Sequence, residues 1–165
     1  MKKKKRRNRS SHLPGAGQLR CHCGSHVMLR SAEGLCKTHR DGAMAYVCAR
    51  YPACDSYVMA YPDTLQPMGS LADPPLRKLR YEAHQQFKRI YNSGIMSKKD
   101  TYRWLSRLLN VPMSQAHIGY LGLYYCQLVI DECQKLLDNH AMARYGQGEI
   151  SGGGCDAGTH QRAAS

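Results

Sequence analysis

From residue 71 onward the apolar positions recur at helical spacing. In LADPPLRKLRYEAHQQFKRIYNSG, Leu76, Leu79, Ala83, Phe87 and Ile90 follow at three- and four-residue steps and make one stripe. Asp73 stands as an N-cap ahead of Pro74 in the first turn, and Gly94 serves as a stop. SKKDTYRWLSRLLN predicts a second helix. Ser97 and Asp100 have the spacing of a capping box, with Asp in place of the usual Glu. Tyr102, Leu105, Leu108 and Leu109 share a face, and Pro112 forbids continuation. A third helix is predicted from about Leu121 to Asn139, with Cys126, Val129, Ile130, Cys133 and Leu137 on its inner side. The earlier part reads differently. HVMLR, AMAYV and SYVMA are short Val/Tyr/Met runs bounded by Gly, Asp and Pro, which suits strands. The fold class expected is α+β: small β-hairpins followed by about three packed α-helices, with flexible termini.

Composition adjusts the boundaries. The formal net charge is +12, and seven of the positive charges lie within the first nine residues, which leaves +5 for the remainder. Residues 1–18 therefore read as a disordered basic tail and residues 141–165, rich in glycine, as a flexible one. Between them, 19–66 is a β-rich ribbon and 67–140 a helical part packed on it. A chain this basic favours phosphate backbones or other acidic surfaces. No apolar run reaches the length of a membrane span, and no apolar h-region follows the basic start. The reading is a cytoplasmic protein. In a reducing compartment its eight cysteines argue for metal or buried thiols before disulfides.

Five of those cysteines fall between residues 19 and 61. RCHCG holds Cys21 and Cys23, and CARYPACDSYV holds Cys48 and Cys54. A zinc ribbon sets two cysteine-bearing turns on neighbouring hairpins, so that four thiolates converge on one tetrahedral Zn²⁺. Such an ion compensates for a segment too small to bury a core of its own. The separation of Cys23 from Cys48 leaves room for two strands and a loop. Cys21 and Cys23 have one residue between them where a knuckle has two. On an extended segment, residues i and i+2 point to the same side, so the pair can chelate, and Gly24 lets the chain bend directly after. Two alternatives stay open: His26 in place of Cys21, and a set built on Cys36 and His39 of the Cys-Lys-Thr-His segment.

CARYPACDSYV is similar to the second knuckle of topoisomerase-type zinc ribbons. Taken with Cys23-Gly24, PMGSLADPPLRKLRYEAHQQF at 67–87, TYRWL at 101–105 and HIGYL at 117–121, the chain resembles the zinc-finger-containing domain family of bacterial and phage proteins. The resemblance runs from about Leu19 to Leu137. It implies a zinc ribbon followed by helices, encoded by a phage, prophage or bacterium and hence located in a bacterial host cell. It implies no established activity. The family spaces its first two cysteines by two residues, which puts Cys21 in question more than Cys23.

Charged and aromatic positions suggest partners. Lys2, Lys3, Lys4, Lys5, Arg6 and Arg7 offer sequence-independent electrostatics, and Arg77, Lys78 and Arg80, with Lys88 and Arg89, decorate the first helix. Tyr46, Tyr51, Tyr57 and Tyr61 suit the small core of a ribbon better than base stacking. Trp104 is a candidate to close the interface between helices and ribbon. His84 and His117 lack carboxylates in any familiar hydrolase spacing, and GQGEISGGG lacks the lysine of a phosphate-cradling loop. The sequence reading is a structural-zinc module that binds DNA or RNA mainly through phosphates. A factor docking on a host protein is the alternative, and a His-dependent nuclease comes last. No membrane association and no small-molecule substrate is indicated.

Overall fold

A computed structural model of the chain describes residues 19–36 and 40–145. It is an α+β fold. Three strands, β1 (Val27–Ser31), β2 (Met44–Cys48) and β3 (Tyr57–Met59), form an antiparallel sheet in the order β1-β2-β3. Val27 pairs with Cys48 and Ser31 with Met44, while Ala45 pairs with Met59 and Val47 with Tyr57. This register puts the ends of β1 and β2 that carry the cysteines side by side. The sheet buries little on either side. Leu19, Cys21, Tyr46, Cys48, Ala60 and Leu71 cluster on one face, and Ala32, Ala45, Val47 and Tyr57 on the other.

Three helices follow among the described residues: α1 (Pro74–Asn92), α2 (Lys98–Leu108) and α3 (Leu123–Tyr145). Local chemistry sets most of their ends. Asp73 Oδ1 accepts from the Leu76 amide at 3.0 Å, ahead of the two prolines of the first turn. Ser97 Oγ accepts from the Asp100 amide at 3.1 Å and donates to its carboxylate at 2.6 Å. α2 ends before Pro112 is reached. Asn110 takes a positive φ of 51°, and the amides of Asn110 and Val111 return to the carbonyls of Arg107 and Ser106, a Schellman closure.

α3 departs from expectation at both ends. A single 3₁₀ turn (Ile118–Tyr120) precedes it, and Leu121, extended, closes that turn, so helix starts at Leu123 and not at Leu121. It runs six residues past Asn139 to Tyr145, because HAMARY contains no breaker. The stripe read from the sequence forms the main core. Ala83, Phe87 and Ile90 of α1 meet Leu105 of α2 and Cys126, Val129 and Cys133 of α3. Trp104 packs, half-buried, against this helical core, where the sequence reading placed it between helices and ribbon. No helix among the described residues is long and apolar enough to cross a membrane.

Two arginines one turn apart on α1 join the helices to the sheet. Arg80, expected to contact phosphate, is buried at 8% exposure. Its Nε donates to the Leu121 carbonyl at 2.9 Å, Nη1 to the Ser70 carbonyl at 2.7 Å and Nη2 to Ser70 Oγ at 2.8 Å. Arg77, expected on the same phosphate-contacting face, stacks 3.9 Å over the Tyr57 ring and donates to the Asp55 carboxylate and carbonyl and the Ala72 carbonyl. The helical period explains both corrections. Positions 77 and 80 border the buried stripe, and their guanidinium forks reach carbonyls in the segments flanking β3 and preceding α3, the Ala72 carbonyl accepting from the Tyr57 amide as well. Beside them Gly69 and Gly119 touch backbone to backbone. A Cβ at Gly69 would lie 2.0 Å from the Gly119 carbonyl oxygen.

Replacing Arg80 with Met removes its bonds to the part-buried Ser70 carbonyl and hydroxyl and to the buried Leu121 carbonyl, which keeps only a long contact from the Cys126 thiol at 3.8 Å. The expected loss is about 2–4 kcal/mol by urea unfolding, and Arg80→Lys, which lacks the fork, does not restore it. Stability of Arg80→Met within about 0.5 kcal/mol of the parent would contradict this assignment.

Candidate metal centre

The first turn brings Cys21 and Cys23 together by a route the sequence reading did not anticipate. The segment is not extended. The Gly24 amide donates to the Cys21 carbonyl at 2.9 Å and the Cys21 amide to the Ser25 carbonyl at 3.3 Å, closing a tight turn. Gly24 sits at φ +81°, where a side chain would be strained. The turn feeds β1. The second turn leaves β2. The Tyr51 amide donates to the Cys48 carbonyl at 3.0 Å and the Cys54 amide to the Arg50 carbonyl at 3.1 Å, and the Tyr51–Pro52 peptide bond is cis. The chain so returned places Cys54 opposite Cys21.

The four sulfurs of Cys21, Cys23, Cys48 and Cys54 lie within 4.8 Å of one another. The closest cross-turn pairs are Cys21–Cys54 and Cys23–Cys48, both at 3.5 Å. A tetrahedral ion with Zn–S bonds of about 2.3 Å holds its sulfurs roughly 3.8 Å apart, so the set fits such an ion. The polar surroundings suit thiolates. The Arg50 amide points at Cys48 Sγ from 3.5 Å, and Ser56 Oγ lies 3.6 Å from Cys54 Sγ. His22 Nδ1 stands 3.8 Å from Cys21 Sγ and 3.4 Å from Ser56 Oγ, outside the cluster but in contact with it. Sequence reasoning passed over His22 and Ser56 as supports, because their contact joins residues on opposite turns.

Burial and hydrogen bonding set the thiols apart. Cys21 is pushed up to about 12, chiefly by desolvation, and desolvation also raises Cys48. Cys23 is held down at about 6, first by the Ser25 side chain and then by its backbone. A bound cation removes this difference by deprotonating its thiol ligands outright.

Among the described residues no other group gathers three or more His, Cys, Asp or Glu ligand atoms. His26 is not one of the converging set, and His39 lies outside the described residues. Cys126 and Cys133 are buried in the helical core, where burial pushes Cys133 up to about 12. His84 is exposed on α1, and His117 caps the 3₁₀ turn. Of the basic positions, Lys78 is 80% exposed with Glu82 3.9 Å away, and Lys2 to Arg7 lie outside the described residues. The sequence reading missed the cations of α2. Lys99, Arg103 and Arg107 recur every four residues on its exposed side, a polar periodicity legible in KKDTYRWLSRL.

The zinc-finger-containing domain family matches residues 18–136, which take in the cysteine turns, α1, α2 and most of α3. No curated protein and no solved structure matches the chain.

Single Cys→Ser replacements at 21, 23, 48 and 54 are expected each to lose stoichiometric metal by elemental mass spectrometry, while His26→Ala keeps it. Retention in Cys21→Ser with loss in His26→Ala would reverse the ligand assignment. Bound thiolates have pKa values depressed below about 8.5 for an unfolded cysteine, so the metal's contribution is present at neutral pH and lost as pH falls. In chelator-treated protein at pH 7, the thiols of the ribbon should be alkylated before Cys126 and Cys133, which are buried in the helical core, as read by peptide mapping.

Proposed function

Since the chain belongs to the zinc-finger-containing domain family, we propose that it is a structural-zinc module that binds nucleic acid mainly through phosphates. Zn²⁺ held by four thiolates has no open position for water, so its role is to hold the two turns and not to catalyse. One observation carries the nucleic-acid reading. Between Pro74 and Leu108 the chain has nine Lys/Arg against two acidic residues, Glu82 and Asp100. With Arg77 and Arg80 turned inward, Lys78, Lys88, Arg89, Lys98, Lys99, Arg103 and Arg107 remain exposed on α1 and α2. Arg20 and Arg50 are exposed beside the cysteine turns, and Lys2 to Arg7 precede the first of them in sequence.

A second reading rests on a different surface. α3 begins with Leu123, Tyr124 and Tyr125 at 54%, 73% and 47% exposure, an apolar outer face of the kind a partner protein covers. A factor of phage or mobile-element origin would dock there on a host protein.

Fluorescence anisotropy with a labelled oligonucleotide separates the two. The nucleic-acid reading expects affinity to fall at least about tenfold between about 50 and 200 mM salt. Salt-insensitive binding, or none at low salt together with a host partner that survives nuclease treatment, would favour the second.

A further inference from the structure

The outer face of α1 carries more than charge. Tyr81 is 65% exposed, and its ring meets no other aromatic ring among the described residues. By helical periodicity Lys78, Gln85 and Lys88 lie on the same side, three before, four after and seven after it. Arg89 adjoins Lys88. An uncovered tyrosine among cations joins the two elements of single-strand recognition: a ring for a base and ammonium or guanidinium groups for the phosphates on either side. α3 presents exposed tyrosines without the second element. No charged residue lies between Leu121 and Ile130, the next two are Asp131 and Glu132, and Tyr124 packs edge-on against Tyr125 at 5.2 Å.

We propose that Tyr81, flanked by Lys78, Lys88 and Arg89, is a stacking platform for one base of a single-stranded nucleic acid running along the outer face of α1. The inference rests on the nucleic-acid reading above and names its surface and its form of ligand. A duplex buries its base faces within the stack and gives Tyr81 nothing to cover. It meets only the charges. The platform sits next to the arginines that join α1 to the sheet. Tyr81 follows Arg77 by four residues, one turn along the same side of the helix, and Arg77 bonds Asp55 next to the ligand Cys54. The metal centre therefore fixes the position of the platform without touching the strand.

The test uses full-length, zinc-loaded protein and fluorescent oligonucleotides of about 20 nucleotides, DNA and RNA, each single-stranded and as a duplex. Tyr81→Ala should weaken single-strand binding at least about fivefold, and Tyr81→Phe should restore it. Tyr124→Ala should change nothing. Lys88→Gln with Arg89→Gln should flatten the salt dependence by a slope of about 1–2. Zinc content and circular dichroism establish that each variant folds. Unchanged single-strand affinity in Tyr81→Ala, or an equal loss on duplex, overturns the platform and leaves nucleic-acid binding standing. A parent protein that binds none of the probes at low salt overturns both.

Discussion

Convergence of four sulfurs holds the N-terminal half of this fold in place. The sheet has strands of five, five and three residues and splits its few apolar side chains between two faces. Neither cluster alone offsets the conformational entropy of ordering about forty residues. The cysteine turns join the segment before β1 to the segment after β2, so an ion that holds their sulfurs also holds the register. Burial holds the Cys21 and Cys48 thiols protonated, and a cation that displaces those protons would turn the cluster into a cross-link between the turns. The local structure and the chemistry of the site are thus one constraint.

That constraint reaches the helices through polar contacts. Asp55 directly follows Cys54 of the cysteine cluster, and its side chain receives Arg77 of α1 at 2.8 Å. One turn further, Arg80 ties Ser70 to Leu121 and so closes the connecting segment onto the start of α3. The close approach of Gly69 and Gly119 lets the two segments meet without side chains between them. A buried guanidinium without a carboxylate is costly unless its nitrogens find acceptors, and here two carbonyls and a hydroxyl each take a bond from one of the three. The helices thus meet the connecting segments through hydrogen bonds and one another through the apolar core.

The same geometry sorts the charge. Cations at the edge of the α1 stripe turn inward, and those in the middle of its solvent face remain outside with Tyr81. α2 adds Lys99, Arg103 and Arg107, whereas α3 begins uncharged and aromatic. The molecule so acquires two unlike surfaces, one basic and one apolar.

The sequence alone determined the α+β class, the three strand segments, the caps at Asp73 and Ser97, the buried stripe of each helix and the candidate cysteines. All of these follow from periodicity and from the chemistry of neighbouring residues. Tertiary structure decided what depends on residues far apart in the chain. PMGS and HIGYL were legible only as markers of a resemblance, yet Gly69 and Gly119 from these two segments are in contact. The turn of Cys21 and Cys23 is closed by Ser25 and Gly24, and its second support, His22 against Ser56, crosses between turns. Arg77 and Arg80 lie nearer the apolar stripe than Lys78 does, but the sequence does not say which acceptors wait beside them. Whether a cation on a helix faces solvent or a backbone carbonyl depends on which segment packs beside it, and that is settled only when the chain has folded.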